Sequence, residues 1–394
     1  MTLSHSGKPG PLSDLIVIDL TRYLSGPYCS LLLADLGARV IKIESPATGD
    51  DSRYVPPIFD GQSAYFMSIN RGKESIALDL KNEEDRRVLD SLLNEADILV
   101  ENFRPGVMDK LGYSAESIAQ RYPSLVYGSI SGFGQTGPWR DLPAYDLVVQ
   151  ALSGMMSING QPDGPPTRVG TSIGDLGAGI YAALAIVSAI HERARTGRGG
   201  RVDVAMLDCQ VALLESHYMR YHASGEVPGR IGSRHPLITP FDTFECNDGY
   251  LVICTVGDAM YQALVKAVGR PELASDERYL TPQDRLRNGE VFKAEFEAHL
   301  KTANREHWLK VIGQAGIPCS PINSITDMSD SPQLEARGVF VNVESANGFS
   351  YKAVRSPMKP AMATSGAINE TERAPTLDQD GERIRGELLK MAAS

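Results

Sequence analysis

Cysteine is scarce in this 394-residue chain and carries no pattern: Cys29, Cys209, Cys246, Cys254 and Cys319 are scattered, odd in number and without CxxC spacing. That excludes a disulfide framework and implies reduced thiols in a reducing compartment, the cytoplasm by expectation. Histidine is thin as well. The nearest pair among the seven, His217 and His222, sits five apart, and no HExxH occurs, so no metal site is expected. No apolar run approaches the ~18 residues needed to span a bilayer. The opening MTLSHSGKPGPLSD lacks the basic-then-apolar order of a signal peptide, so no membrane partner is expected. Positive charge is in deficit too: 39 Lys and Arg against 49 Asp and Glu leave a net charge of −10. Wrapping nucleic acid is thereby disfavoured. Any anionic ligand would need the few cations gathered locally.

What is present is the composition of an ordinary globular protein, 42% hydrophobic and 22% charged, in a chain long enough for two domains. Strand-like and helix-like segments alternate over the first 200 residues: LIVIDL (15–20), a helix from near Pro27 to Gly37, RVIKIE (39–44), SIALDL (75–80), a helix over 82–96, DILVENF (97–103) and SLVYGSIS (124–131). Such alternation implies a mostly parallel, doubly wound α/β sheet, and its near-continuous apolar strands imply cover on both faces. A long helix is expected from about Asp175 to Thr196, then a strand at RVDVAM (201–206). Around 225–325 the texture changes to a hairpin turning at Asn247-Asp248-Gly249 and three amphipathic helices, over 260–269, 290–302 and 304–314. The expected organisation is a large domain over 1–224, a smaller α+β domain over 225–325, and a return to the large domain over 326–394.

The most informative stretch is GTSIGDLGAGIYAALAIVSAIHERARTGRGGRV (170–202), in which Gly174, Gly177 and Gly179 surround one acid, Asp175, at the start of an apolar helix. Small residues allow a bulky ligand close to the backbone. A helix N-terminus favours an ionised carboxylate, which can act as a nucleophile. Asp is also a preferred N-cap, so a purely structural role fits the same residues. GSISGFGQTGPW (128–139) is Gly-rich after a strand but matches neither GxGxxG nor a P-loop. No GxSxG elbow occurs, and nothing links Cys209 to His191 as nucleophile and base. Lys42, Lys73, Lys81, Arg104 and Lys110 fall near element ends, where a phosphate-bearing ligand could meet them; a solvated scatter of charge explains them equally well.

Taken in order, VIDLTRYLSGP (17–27), LLADLGARVIKIESPATGDDSR (32–53), NRGKESIALDLK (70–81), ADILVENFRPGVMDKLG (96–112), SISGFGQTGP (129–138), AYDLVVQALSG (144–154), SIGDLGAG (172–179), TGRGGRVDVAMLD (196–208), IPCSPINS (317–324) and SPQLEARG (331–338) resemble the class III CoA-transferases, the formyl-CoA and carnitine CoA-transferase type. The resemblance covers nearly the whole chain. It implies a Rossmann-like large domain built from both chain ends, a small domain, and two ring-like subunits threaded through each other as a homodimer. It places the family's nucleophilic aspartate at Asp175 and CoA contacts at Tyr23, Leu78, Lys81, Asn102, Phe103, Lys110, Tyr145 and Met206. Arg104 and Lys42 join these by charge as phosphate partners. No permanently bound cofactor is implied; coenzyme A and acyl-CoA are substrates.

The resemblance further implies transfer of CoA to a carboxylic acid through an aspartyl–acyl anhydride and an aspartyl-CoA thioester. Racemases of the same fold form the alternative, but they carry a histidine where this chain has Tyr145, and a phenol of pKa near ~10 is a poor base. Leu24 stands where formyl-CoA transferases carry glutamine, which argues against formyl or oxalate chemistry. Likeness to the glutarate-using branch points instead to a small dicarboxylate acceptor, with succinyl-CoA or a similar ester as donor. Arg234, beside His235, is the guanidinium expected to hold the acceptor's distal carboxylate.

Overall fold

The computed structural model describes residues 3–4, 9–344, 348–358 and 372–393. The described chain divides into two compact units. The first lies within Met1–Met156, Arg168–Glu226 and Glu335–Ser394; the second comprises Ser157–Thr167 and Val227–Leu334.

The first unit is built on a six-stranded sheet of β1 (Ile16–Asp19), β2 (Arg39–Glu44), β3 (Glu74–Ala77), β4 (Ile98–Glu101), β5 (Val126–Ser131) and β6 (Arg201–Ala205). All pairings are parallel, in the order β3-β2-β1-β4-β5-β6. Side chains alternate between faces as strand geometry demands. Val17, Val40 and Val100 join one core with α1 (Ser25–Asp35) and its neighbours, while Ile16, Ile18, Ile41 and Leu99 join the other. That second core takes Leu89, Leu92 and Leu93 from the amphipathic helix that follows β3 and Ile384 from near the C-terminus. Burial on both faces is why these strands read as largely apolar runs.

Between β3 and β4 the chain reverses its direction of growth across the sheet, so β1 and β4 flank a topological switch point. The crevice beyond their carboxyl ends is where open α/β sheets take ligands. Between these strands run four further helices, α2 (Ala64–Asn70), α3 (Glu83–Glu95), α4 (Ala115–Arg121) and α5 (Asp146–Leu152). Next come α6 (Ile173–Thr196), α7 (Met206–Ala212) and α8 (Glu215–Ser224).

Helix α6 corrects two expectations. It starts at Ile173, with Ser172 as its N-cap, so Asp175 lies inside the first turn and is not the cap. It is also, by length and composition alone, apolar enough to cross a membrane. Its small Ala and Gly positions had broken up the look of an apolar run. In the fold those positions are its packing surface: Gly174, Gly177, Ala178, Gly179, Ala182, Ala183 and Ile186 are buried.

The second unit holds the hairpin β7 (Phe241–Cys246) and β8 (Gly249–Cys254), joined by β9 (Cys319–Pro321) in the order β9-β8-β7. Helices α9 (Gly257–Ala267), α10 (Gly289–Leu300) and α11 (Arg305–Gln314) pack on it around Phe244, Leu251, Tyr261, Phe292, Phe296 and Trp308. The chain then forms a second hairpin, β10 (Phe340–Glu344) with β11 (Ser350–Val354), and α12 (Gly381–Ala392). Near α12 the chain docks on edge strand β3, where Ser75 N–H donates to Asp380 Oδ2 (3.0 Å) and Ala77 N–H to Asp378 Oδ1 (2.8 Å).

Candidate active site

Two cavities open in the crevice of the first unit. The larger, about 300 Å³, runs over the ends of β1, β2 and β3 and is lined by Thr21, Arg22, Thr48, Leu78, Lys81 and Phe103 among others. The smaller, about 130 Å³, is lined by Tyr23, Ser25, Asn102, Phe103, Arg104, Arg140, Tyr145, Asp175 and Met206. Phe103 belongs to both walls. Of the residues expected to contact CoA, Lys110 and Lys42 line neither; Lys110 is exposed at the end of the helical turn Val107–Lys110, one residue before Leu111 of the larger cavity.

The floor is held by buried ion pairs at the strand ends. Lys73 Nζ lies 3.1 Å from Asp19 Oδ2 and donates to the Pro27 carbonyl (2.9 Å), Ser30 Oγ (2.8 Å) and Asn70 Oδ1 (2.9 Å). Lys42 Nζ lies 2.9 Å from Asp50 Oδ2 and donates to the Thr21 carbonyl (2.7 Å). Burial alone would push Asp19 up. The ammonium groups of Lys73 and Lys42, with the Ser30 and Thr21 hydroxyls, outweigh it and hold the carboxyl at about 2. Lys42 and Lys73 are therefore not phosphate ligands: both are fully buried and committed to carboxylates. Two cations that sequence reasoning missed are Arg22, on the larger cavity wall and paired with Asp51, and Arg140, on the smaller.

Asn102 also acts inward. Its side chain clasps the Arg22 backbone, accepting from N–H (2.8 Å) and donating to the carbonyl (2.8 Å). The next residue, Tyr23, is held at φ +63°, a left-handed conformation uncommon for an aromatic residue. There its ring meets that of Tyr145 edge-on, centroids 6.4 Å apart, at the mouth of the smaller cavity. Leu24, by contrast, is 9% exposed and lines neither cavity.

Asp175 differs from the other acids of the crevice. Among the described residues its side chain has no hydrogen-bond or ion-pair partner. Burial, reinforced by the nearby Asp146 carboxylate, pushes its pKa up to about 7. At this position loss of hydration favours the neutral form, opposing the pull of the helix N-terminus toward the ionised one. No histidine among the described residues lines either cavity. The Cys209 thiol is raised to about 11, chiefly by burial, and stays protonated near neutrality. Among the described residues no group of three His, Cys, Asp or Glu side chains is placed to hold a metal ion.

An unpaired carboxylate at a switch-point crevice is matched by likeness to known proteins. Residues 12–381 match the family described as CoA-transferase family III. The chain belongs to CoA-transferase family III. It is 46% identical to the acetyl-CoA:oxalate CoA-transferase of Acetobacter aceti over 98% of both chains. It is 39% identical to the succinate–glutarate CoA-transferase of Agrobacterium fabrum, again over 98% of both. Its fold matches a CAIB/BAIF family protein from Brucella suis with a TM-score of 0.86 and 38% identity, over 96% of this chain and 99% of that one. As a family III enzyme it is a CoA-transferase, and the racemase alternative is not favoured.

In the second unit, Arg234 Nη1 is paired with Glu290 Oε1 at 2.8 Å. An acceptor carboxylate would have to displace that partner, as it would have to displace Asp141 from Arg140. The cations that share a cavity with Asp175 are Arg104 and Arg140.

Proposed function

We propose that this enzyme moves CoA from a donor ester, succinyl-CoA or a similar short acyl-CoA, to a small dicarboxylic acid, with Asp175 as covalent nucleophile. The observation that carries the reading is the unpaired, largely buried Asp175 carboxylate sharing a cavity with Tyr23, Asn102, Phe103, Arg104, Tyr145 and Met206. Relatives named for oxalate, mesaconate and glutarate transfer support the dicarboxylate class.

In this reading the CoA body lies along the larger cavity, against Leu78, Phe103 and Lys81, with Arg22, Arg104 and the nearby Lys110 available to its phosphates. Asp175 attacks the thioester carbonyl carbon; the C–S bond breaks, leaving an aspartyl–acyl anhydride and CoA thiolate. The thiolate attacks the aspartyl carbonyl, freeing the donor acid and forming an aspartyl-CoA thioester. The acceptor carboxylate then runs the two steps in reverse and regenerates Asp175. No resident cofactor is required, because thioester and anhydride are both activated acyl groups. Backbone N–H groups beside the cavity stabilise the developing oxyanions, each such donor being worth ~3–4 kcal/mol in comparable sites. Arg140 and Arg104 hold the acceptor's distal carboxylate, a charged contact of about 1.5–3 kcal/mol.

We read the working unit as a homodimer of interlocked rings. Its support is an apolar face on packed helices of the first unit: Leu147, Val148 and Leu152 of α5, Ile180 and Leu184 of α6, and Tyr218 and Met219 of α8 are all exposed in the single chain. The cytoplasm is the compartment that fits free cysteines and CoA ester substrates.

The test is a screen of acetyl-, succinyl- and glutaryl-CoA against mono- and dicarboxylic acceptors of matched length, read as new CoA ester by chromatography. Preference for C2–C6 dicarboxylates is expected. Preference for monocarboxylic acids, or exchange of the substrate's α-hydrogen with deuterated solvent in the absence of an acceptor, would overturn the reading.

A further inference from the structure

The first turn of α6 is held by a side chain from another helix. Ser172, its N-cap, makes no side-chain capping bond, although Ser is a favoured residue for that task. The free N–H of Gly174 is taken instead by Asp146 Oδ1 of α5, at 2.8 Å. The other carboxylate oxygen accepts from Gln150 Nε2, one turn along α5, at 2.8 Å. Gln150 Oε1 accepts in turn from Val169 N–H at 2.9 Å. Asp146 is 7% exposed and Gln150 fully buried. The pair thus grips the chain on both sides of the turn into α6, at Val169 and Gly174, the second immediately before Asp175.

The close approach depends on glycine. A Cβ at position 174 would sit 2.8 Å from Val149 Cγ2, 3.0 Å from Asp146 Oδ1 and 3.1 Å from Gln210 Nε2. The grip also fixes a negative charge beside Asp175, and the chemistry makes that charge useful. When Asp175 attacks a thioester, its carboxylate charge passes to the leaving thiolate as the C–S bond breaks. Repulsion from Asp146 raises the energy of the free carboxylate but not of the acylated aspartate. The barrier to acylation falls accordingly.

We propose that Asp146 is a positioning residue for transfer: it caps the nucleophile's helix through Gly174 and makes the Asp175 carboxylate more reactive through its fixed charge. The inference rests on the reading of Asp175 as nucleophile. Burial and Asp146 act in the same direction on Asp175, which stands near 7. The other titratable groups around it are Tyr65 of α2, Cys209 of α7, and Tyr23, Tyr145, Arg104 and Arg140 of the cavity wall. Tyr28 and Cys29 lie on α1, which packs against α6. Of these, the two arginines are exposed.

The experiment compares wild type, Asp146→Asn, and Asp146→Asn/Gln150→Glu by pH profile, kcat and KM, with melting curves alongside. The single variant keeps the acceptor for Gly174 N–H, removes the charge and sets two amide donors face to face. The double variant restores the hydrogen bonding and moves the charge one helical turn along. For Asp146→Asn we expect kcat to fall roughly 10- to 100-fold with KM for acyl-CoA within threefold, and the acidic limb of kcat/KM to move about one pH unit lower. The double variant should melt like wild type, with its limb still below the wild-type position. If Asp146→Asn does not fold, the double variant decides. Wild-type kcat together with an unmoved limb, in whichever variant folds, overturns the inference. Asp175→Ala is measured in parallel: activity retained there overturns the nucleophile reading itself, whereas an inactive Asp175→Ala beside wild-type-like Asp146 variants overturns this inference alone.

Discussion

Gly179 of α6 lies so close to Ser25 of α1 that a Cβ on it would sit 2.8 Å from the Ser25 carbonyl oxygen and 3.3 Å from Cys29 N. Both obstacles are backbone, so neither can rotate away. This contact is one turn from Asp175 and locks α6 to the helix that follows the Tyr23 loop. Gly179→Ala should destabilise the fold by about 1–3 kcal/mol, the usual cost of overpacking a tight core. It should also lower kcat by displacing Asp175. Urea titration and steady-state kinetics check both. A variant as stable and as active as wild type would show that the helices are free to separate.

The Asp19–Lys73 pair ties the sheet to the first turn of α1. Lys73→Met leaves the Asp19 carboxylate buried without its ion-pair partner, and breaking such a pair costs roughly 3–5 kcal/mol. Chemical denaturation should show a loss of that size, larger than for Lys81→Met at the exposed rim. Equal losses would mean that the buried pair carries no special weight.

Asp175 should leave a pH signature of definite sign. With its pKa raised from the ordinary 3.8 to about 7, chiefly by burial, the folded protein holds this proton more tightly than the unfolded chain. The resulting stabilisation is full below about pH 4 and is lost as pH rises through 7. At pH 8, Asp175→Asn should therefore be more stable than wild type, by roughly 2–4 kcal/mol. Catalysis runs the other way: kcat/KM should rise with pH through about 7 as the carboxylate ionises. Melting curves of both proteins at pH 5 and pH 8 test the first claim. A variant less stable at pH 8 would contradict it.

The apolar face formed by Leu147, Ile180, Leu184 and Met219 should be covered in solution by a second copy. Light scattering and dilution into the nanomolar range should find a dimer throughout, since threaded rings cannot part without one opening. A folded, active monomer would contradict the interlocked arrangement.

The sequence displayed the sheet clearly because its strands are buried on both faces, so LIVIDL and SLVYGSIS read as largely apolar runs, although RVIKIE buries Arg39, Lys42 and Glu44 among its β-branched residues. The start of α6 was legible only to within two residues. Its true cap, Ser172, makes no capping bond, and the group that does the capping, Asp146, is 28 residues upstream on another helix. Lys42 and Lys73 looked like ligand cations because a sequence shows charge but not the aspartates it is spent on. Arg234 likewise has a carboxylate partner that the sequence does not show, Glu290. Asp50, Arg22 and Arg140 were passed over although two of them stand inside quoted motifs, ESPATGDDSR and TRYLSGP. Only the fold shows which side of each motif faces the crevice.

The most direct measurement is capture of the acylated aspartate. The enzyme is incubated with succinyl-CoA without acceptor, quenched with hydroxylamine, and digested for mass spectrometry. A donor-dependent hydroxamate on the peptide carrying Asp175, absent from Asp175→Ala and accompanied by loss of activity, is the predicted result. Turnover with that peptide unmodified, or modification at another residue, would contradict it.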